Sequence, residues 1–344
     1  MKYDFLIVGQ GLAGTLTGHA LEDLGASFAV IGCIKPHAAS PLAAGIIHPV
    51  SGRKFVKAWL YDELIARCHE TYGKIEEKLN FTLFRKLDMH LYLSSVKEEN
   101  DLLSQAQRYS YEVMLRPVPD NDRGFQRQGK VYGIKAFQLD IQGLTSSFLK
   151  RWQDRQSYFT EHMEYTSLFR EGNTWRYKDV LADQVIFCEG IWCRENPWFG
   201  HLPLIANKGQ VFTLDPGTCQ NLDHMVKSGL LLTRWKEAIW AGATYEWEFD
   251  QPGPDSYGWN YLYRKLENTL QNPFRVQSHL SGLRPTVPDR KPILAKHPVL
   301  PGLWAVNGFG TKGSSLGPYV TTHLADLLDG REKINRFSPS RFKE

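Results

Sequence analysis

The segment VGQGLAG, residues 8–14, has the residue types and spacing that hold the diphosphate of a dinucleotide. Gly9 permits a tight turn, Gly11 lets the backbone approach the diphosphate, and Gly14 lets the following helix pack close to the preceding strand. The start of that helix then offers N–H groups and a partial positive charge to the phosphates. The motif follows an apolar strand and opens a helix, which favours a nucleotide site over a glycine-rich turn without a ligand.

The carboxylate that usually ends the second strand of such a unit is absent from this sequence. An Asp or Glu about 20 residues after the loop normally binds the ribose hydroxyls. Here the strand FAVIG ends at Gly32, which Cys33 and Ile34 follow. Two alternatives are open: Lys35 or backbone groups take over the ribose contact, or the dinucleotide binds more weakly.

Three further glycine-containing segments argue against a nicotinamide dehydrogenase, which would need no more glycine sites, and favour a long cofactor. They are SPLAAGIIHPVSG at 40–52, VIFCEG at 185–190 and GLWAVNGFGTKGSSLG at 302–317. Small residues in the first segment allow backbone to lie against a flat ring. The last segment is a strand followed by a second glycine loop that opens a helix, and its helix dipole suits an electron-rich ring edge.

The elements that position these loops are predicted from apolar periodicity. Residues 3–8, 12–25 and 27–32 form a βαβ unit, and further helices are expected near 59–79, 97–109, 141–153 and 256–271. Residues 208–250 are rich in strands. The nucleotide-type elements are therefore spread along the chain, with an antiparallel-looking set of strands inserted between them.

Length and composition are those of an ordinary globular protein with room for two lobes. The 344 residues carry a formal net charge of +4, which is below the strongly basic character of nucleic-acid binders but compatible with an anionic substrate. No apolar stretch approaches the ~20 residues of a membrane span, and the N-terminus does not read as a signal peptide, so we expect a cytoplasmic protein. The five cysteines include no CxxC pair and are expected to be reduced thiols, not a zinc or disulfide framework.

Taken together, the motifs resemble those of the D-amino-acid-oxidase superfamily of FAD-dependent oxidoreductases, near glycine oxidase and sarcosine oxidase. The matching segments run in family order from residue 4 to about 330: IVGQGLAG, ASPLAAGIIHP, ADQVIFCEG, LPLIANKGQVFTL, SGLRPTVPDRKPIL and LWAVNGFGTKGSSLGP. Within the superfamily, the segments AAGIIHPVSG and NGFGTKG look most like the FAD-dependent oxidase domain of the bifunctional enzyme that modifies tRNA wobble uridines. The methyltransferase half of that enzyme has no counterpart in this sequence.

The resemblance implies an α/β fold in which a Rossmann-like FAD-binding domain carries an inserted substrate domain with a mixed or antiparallel sheet. The FAD-binding domain is expected at 1–80, 141–207 and 280–344, and the substrate domain at 81–140 and 208–279. The family's ribose acid falls on Gly32 and does not carry over. The family's FAD contacts carry over onto Gly9, Gly11, Leu12, Ala13, Gly14, Ser40, Ala44, Gly45, Ile46, Gly190, Gly308, Phe309, Gly310, Thr311, Lys312 and Gly313.

The chemistry that the resemblance implies is oxidation of a C–N bond. A hydride moves from the C–H beside nitrogen to flavin N5, the imine hydrolyses, and oxygen reoxidises the flavin. The cofactor carries this chemistry, so no catalytic triad is required. Arg284 in GLRP matches the arginine that clamps the substrate carboxylate in glycine oxidase-like members, where a guanidinium fork suits two parallel hydrogen bonds. The alternative for Arg284 is a structural ion pair with Asp289 or Glu189.

Two other residues are candidates for roles beside the flavin. His48 follows Ala44, Gly45 and Ile46, which are expected beside the flavin, and it could face the ring or the substrate, or take a proton. Alternatively, its ring forms a hydrogen bond with a loop carbonyl. Lys312 could place a positive charge near the flavin carbonyls, or it could be a solvated surface lysine.

Aromatic residues of the inserted domain are a further candidate for the substrate pocket. Tyr245 and Trp247 fall on one face of an expected strand, with Trp240 nearby, and could wall the pocket or simply pack the sheet.

Three functions remain open at this point. The first is an FAD-dependent oxidase of a small amino acid or secondary amine. The second is a flavoenzyme that acts on a carboxymethylaminomethyl-uridine-type group of tRNA, which the basic run at 52–57, GRKFVK, could contact. The third is a non-catalytic protein that binds flavin weakly or not at all and has a structural or partner role, for which Gly32 is the only argument.

Overall fold

The computed structural model describes residues 1–52, 54–115, 124–126, 130–219 and 222–342. Arg53, in the basic run at 52–57, lies outside the described residues. The α-helices of the described residues are α1 (Leu12–Asp23), α2 (Tyr61–Leu79), α3 (Val96–Tyr109), α4 (Ile141–Asp154), α5 (Ser256–Glu267) and α6 (Gly313–Leu328).

The strands of the described residues form two large sheets and one small ribbon. The first sheet contains β1 (Lys2–Val8), β2 (Phe28–Gly32), β9 (Tyr158–Thr160), β10 (Leu168–Glu171), β11 (Thr174–Tyr177), β12 (Val180–Phe187), β18 (Ile293–Lys296) and β19 (Leu303–Asn307). The second contains β3 (Ile46–Ile47), β6 (Phe84–Tyr92), β7 (Met114–Leu115), β8 (Val131–Leu139), β13 (Ile205–Leu214), β14 (Met225–Ser228), β15 (Leu230–Trp235), β16 (Ala238–Gly242) and β17 (Val276–Thr286). The ribbon pairs β4 (Val50–Ser51) with β5 (Val56–Lys57).

The first sheet has the parallel centre expected of a nucleotide-binding fold. Its order is β10-β11-β12-β1-β2-β9, and β19 lies against the end of β12. β1 pairs in parallel with both β2 and β12, which places the carboxyl ends of three strands at one edge. Continuous apolar runs such as FLIV in β1 are buried on both faces, as parallel strands require. The α/β fold expected from the sequence is thereby confirmed.

Helices cover one face of the first sheet. Helices α1, α2, α4 and α6 contribute to a core that includes Leu16, Tyr72, Phe148, Trp152 and Leu324. The opposite face packs against the segment 190–204, in a core with Phe187, Trp175 and Phe199.

The second sheet is mostly antiparallel, in the order β17-β13-β16-β15-β14-β6-β8-β3. β13 and β17 pair over ten registered residues, so that Asn207 lies opposite Arg284. β3 belongs to this sheet, although the sequence assigned residues 1–80 to the FAD-binding domain. The domain boundaries given above stay a prediction.

Two local expectations from the sequence are wrong. Tyr245 and Trp247 do not lie on a strand, because β16 ends at Gly242 and the chain then forms a loop. The helix expected at 256–271 ends at Glu267, where Asn268 bonds back to Arg264 and Leu266. The expected thiols are present: all five cysteines are free. Within the described ranges, no helix is both long and apolar enough to cross a membrane.

Candidate active site

A cleft of about 2180 Å³ extends from the glycine loop after β1 to the pair of strands β13 and β17. Ligand pockets for drug-sized molecules usually measure about 300–1,000 Å³, so this cleft has room for a long cofactor and a substrate together. Its walls come from both large sheets, and nearly all the site residues predicted from the sequence lie along it.

The N-terminal glycine loop forms one end of the cleft. Gly9, Gly11, Leu12 and Ala13 line it, and the Leu12 N–H donates to Ser40 Oγ at 3.0 Å. Gly14 does not line the cleft: a Cβ there would lie 1.9 Å from the carbonyl oxygen of Gly9. Gly14 therefore serves close packing of α1 on the loop, while the other four residues face the ligand space.

The absent ribose acid has a structural explanation. A Cβ on Gly32 would lie 2.9 Å from the hydroxyl of Tyr158 and 3.1 Å from Cβ of Gln10. The Tyr158 hydroxyl donates to the Gly32 carbonyl oxygen at 2.8 Å. Tyr158 thus occupies part of the space that an acidic side chain would take, and a side chain at position 32 would have to displace its hydroxyl. Lys35, the alternative ribose contact, lines the cleft with its ammonium 5.3 Å from the ring centre of Trp192.

The segment 40–52, which was expected to lie beside a flat ring, also lines the cleft. Its lining residues include Ser40, Ala44, Gly45 and Ile46, and Gly190 approaches from the end of β12. The Gly190 carbonyl accepts a hydrogen bond from Asn307 Nδ2 at 2.8 Å, which ties this segment to the end of β19.

Every residue of the second glycine loop, Gly308 to Gly313, lines the cleft. The loop is held by Gly310 N–H, which donates to the Pro285 carbonyl at 3.0 Å. Lys312 donates to Ser51 Oγ at 3.3 Å, and burial followed by the charge of Arg290 lowers the pKa of Lys312. Lys312 is therefore a half-buried cation of the cleft and not a freely solvated lysine.

His48 lines the cleft as a neutral imidazole. Burial, with smaller contributions from the charges of Lys227 and Lys312, lowers the pKa of His48 to about 3. Its Nδ1 is buried and has no hydrogen-bond partner among the described residues, so the bond to a loop carbonyl does not account for this nitrogen. A neutral, unpartnered ring nitrogen at a cleft wall can donate to or accept from a bound ligand.

Arg284 stands at the far end of the cleft, on β17. Its Nη1 donates to Asn207 Oδ1 at 2.7 Å and to the Thr244 carbonyl at 3.2 Å, and its Cζ lies 4.8 Å from the ring centre of Tyr245. Burial lowers the pKa of Arg284, an effect that Tyr245 and Glu246 oppose. An arginine nevertheless remains protonated in proteins.

The structural ion pair considered for Arg284 does not form. Asp289 pairs with Arg341, and Glu189 accepts from Tyr165 and Asn196. No Asp or Glu oxygen of the described residues lies within 4 Å of the Arg284 guanidinium nitrogens. A half-buried guanidinium that neutral groups hold through Nη1 keeps its positive charge, and its Nε and Nη2 donors can bind an incoming carboxylate.

The aromatic residues near Arg284 differ in their roles. Trp240 is buried in β16. Its Nε1 donates to the Leu42 carbonyl at 2.9 Å, so it joins the second sheet to the segment 40–52. Tyr245 is 60% exposed and Trp247 is 48% exposed, although both line the cleft. Their side chains do not pack into the sheet and can contact a bound ligand.

The residues present fit FAD. The N-cap residues of α3, α4 and α5 cap their helices through side chains, whereas those of α1, α2 and α6 do not, and α1 and α6 begin at the two glycine loops. Apart from the Leu12 N–H, which donates to Ser40 Oγ, the N–H groups at the starts of α1 and α6 suit the diphosphate and an electron-rich ring edge. Small residues between them leave the wall open for a planar ring. Gly9, Gly11, Ala13, Ala44, Gly45 and the loop 308–313 would hold the cofactor.

Two residues that sequence reasoning did not select complete the Arg284 site. Asn207 accepts from the guanidinium, and a Cβ on Gly209 would lie 2.0 Å from Arg284 Nη2. Both belong to the segment NKGQVFTL, which was matched to the family without any assigned role. Only the register of β13 against β17 brings them to Arg284.

Comparison with known proteins identifies the family and the fold of this chain. Residues 4–327 match the family DAO, described as FAD dependent oxidoreductase. The glycine oxidase of Pseudomonas aeruginosa is 24% identical over 362 residues, covering 97% of each protein. Glycine oxidase from Bacillus cereus superposes with a TM-score of 0.79 at 18% identity, covering 96% of each chain. Iminodiacetate oxidase from a Chelativorans species gives 0.75 at 20% identity, covering 97% of this chain and 98% of that one.

Proposed function

Because this chain belongs to the DAO family of FAD-dependent oxidoreductases, we propose that it oxidises the C–N bond of an amino acid or secondary amine that carries a carboxylate. The observation that carries the proposal is Arg284, a cleft-lining guanidinium that only neutral groups hold. Glycine and iminodiacetate, after which two of the similar proteins are named, each combine an amine nitrogen with a carboxylate.

The residues of the cleft have distinct tasks in this reaction. Arg284 binds the substrate carboxylate and so fixes the orientation of the neighbouring C–H bond. His48, neutral at physiological pH, presents a ring nitrogen at the wall without adding charge. Lys312, within the loop 308–313, supplies a positive charge that would stabilise negative charge developing on a bound flavin. When bound, FAD supplies the hydride acceptor at N5, and oxygen is the proposed final acceptor.

The test is the anaerobic reduction of the protein-bound flavin, followed by its visible absorbance. Glycine, sarcosine, iminodiacetate, proline and D-alanine are compared with methylamine, which has the amine but no carboxylate. We expect reduction by at least one carboxylate-bearing amine and none by methylamine at equal concentration. Arg284→Ala and Arg284→Lys should retain flavin and lose at least ~10-fold in apparent affinity, since 1.4 kcal/mol is tenfold and a lysine cannot form the fork. Equal reduction by wild type and both variants would refute the clamp.

A second candidate is oxidation of a carboxymethylaminomethyl-type group on tRNA. It is favoured by exposed aromatic side chains at the cleft, each beside a cation: Lys291 lies 5.7 Å from the ring centre of Trp59, and Lys265 lies 5.9 Å from that of Tyr261. Aromatic rings interleaved with cations bind unpaired bases and phosphates. Peroxide release with free amines supports the first function. Turnover confined to modified tRNA, with no reaction of any free amine, supports the second.

A further inference from the structure

The loop that follows β16 folds back along β13. Lys208 N–H donates to the Glu246 carbonyl at 2.9 Å, and Glu246 N–H donates to the Lys208 carbonyl at 3.0 Å. Thr244 N–H donates to the Gln210 carbonyl at 3.1 Å. The segment 243–247 is therefore bonded to one strand at two successive points, although it lies outside any named strand.

One side of this segment holds Arg284. The Thr244 carbonyl accepts from Arg284 Nη1, and the Tyr245 ring lies against the guanidinium. Asn207 connects Arg284 to the segment 243–247, because its Oδ1 accepts from Arg284 and its Nδ2 donates to the Glu246 carbonyl at 3.2 Å. The position of the guanidinium thus depends on where residues 244–246 lie.

The other side of the segment is anchored by a buried charged cluster. Successive residues of a strand point to opposite faces, so Lys208 and Gln210 lie behind Asn207 and Gly209. Lys208 is fully buried and pairs with Glu246 at 3.6 Å and with Asp255. Gln210 Nε2 donates to Glu246 Oε1 at 2.9 Å, and the Thr244 hydroxyl donates to the same oxygen.

Glu246 is the charged member of this cluster that belongs to the loop itself. Its carboxylate is the shared partner of Lys208, Gln210 and Thr244, and its backbone pairs with β13. Asp255 instead caps α5, through the Gly258 N–H at 2.9 Å. Disturbing the Glu246 carboxylate therefore removes the side-chain anchor of the loop and leaves only its bonds to β13 through the backbone and Thr244, whereas the helix cap and the Lys208–Asp255 pair remain.

We propose that Glu246 is a positioning residue for substrate binding, which holds the segment 243–247 so that Thr244, Tyr245 and Asn207 keep the Arg284 guanidinium aimed into the cleft. The proposal rests on the proposed function, in which Arg284 binds a carboxylate. Glu246 touches neither substrate nor cofactor in this role and acts only through Arg284.

Charge and position make opposite predictions for Glu246. If it acted only as a nearby negative charge, its removal would reduce repulsion and strengthen the binding of an anion. If it positions Arg284, its removal lets the guanidinium move and weakens the binding of an anion. A displacement near 1 Å can cost up to about 100-fold, so we expect roughly a tenfold weakening.

The test measures acetate binding to the FAD-loaded enzyme by titration calorimetry, which needs no turnover. The variants are Glu246→Gln and, as the matched control, Glu248→Gln, which removes the same charge from an exposed position two residues along the chain. We expect the acetate Kd to rise about tenfold in Glu246→Gln. We expect no rise in Glu248→Gln, and unchanged flavin content in both. If Glu246→Gln does not fold, Glu246→Asp, which keeps the charge but shortens its reach, should show the same weakening.

A double-variant cycle separates positioning from general damage. In an Arg284→Ala background, Glu246→Gln should leave the residual acetate affinity unchanged, because its effect passes through Arg284. Equal or tighter acetate binding by Glu246→Gln relative to wild type would overturn the positioning role alone. Absence of acetate binding by wild type would overturn the Arg284 clamp as well, so the two failures are distinguishable.

Discussion

Gly209→Ala is the sharpest perturbation of the Arg284 site, because it adds one methyl group and no charge. The added Cβ would lie 2.0 Å from Nη2, 2.2 Å from Cζ and 2.5 Å from Nη1 of Arg284. No guanidinium can remain at those distances. Gly209 is not among the glycines with positive φ, so alanine can adopt its backbone conformation. The guanidinium must swing away while the strand stays in place.

The size of the effect follows from the contacts that Arg284 would lose. Displacement breaks the 2.7 Å bond to Asn207 and moves the fork from the position where it receives a carboxylate. Hydrogen bonds to charged groups contribute about 1.5–3 kcal/mol. At 1.4 kcal/mol per factor of ten, the affinity for a carboxylate ligand should fall about 10- to 150-fold. The free energy of unfolding should fall by about 1–3 kcal/mol, because the buried Asn207 Oδ1 loses its donor.

The assay is acetate binding to the FAD-loaded protein, with flavin content and melting temperature recorded in parallel. Gly73→Ala, on α2, is the matched control because a Cβ there meets no atom within 4 Å. We expect Gly209→Ala to lose acetate affinity as Arg284→Ala does, and Gly73→Ala to behave as wild type. Wild-type acetate affinity in Gly209→Ala would show that Arg284 does not bind the carboxylate from this position, and the clamp would be wrong.

Three further changes test other parts of the cleft. Gly11→Asp should abolish FAD binding, because it places a carboxylate at the diphosphate; an unchanged ratio of flavin absorbance to protein would contradict this. Gly32→Ala should weaken FAD binding and lower the melting temperature because its Cβ meets the Tyr158 hydroxyl, and adding Tyr158→Phe should restore both; no recovery would show that another contact is limiting. Since the pKa of His48 falls from 6.5 unfolded to about 3 folded, unfolding takes up a proton below pH 6.5, and stability declines as the pH falls toward 3. His48→Gln should flatten that decline in melting temperature against pH, and equal slopes would mean that His48 is not buried as described.

Much of the cofactor site could be predicted from the sequence, because its determinants are local. The loop at 9–14 lies between a buried strand and a helix, and the loop at 308–313 has the same strand–loop–helix order. In such units the glycine spacing, strand and helix start all fall within a short stretch of chain. Arg284 and His48 were selected in the same way, from the segments GLRP and GIIHP, and both line the cleft.

The determinants of the substrate end and of the ribose end are not local, so only the tertiary structure decided them. Tyr158 reaches Gly32 across 126 residues, and Arg284 reaches Asn207 across 77. Their contacts depend on which strands are neighbours and on the register between them, which apolar periodicity does not specify. The loop 243–247 was misread as a strand for the same reason: its alternating residues follow β13 from outside the sheet, held there by the buried carboxylate of Glu246.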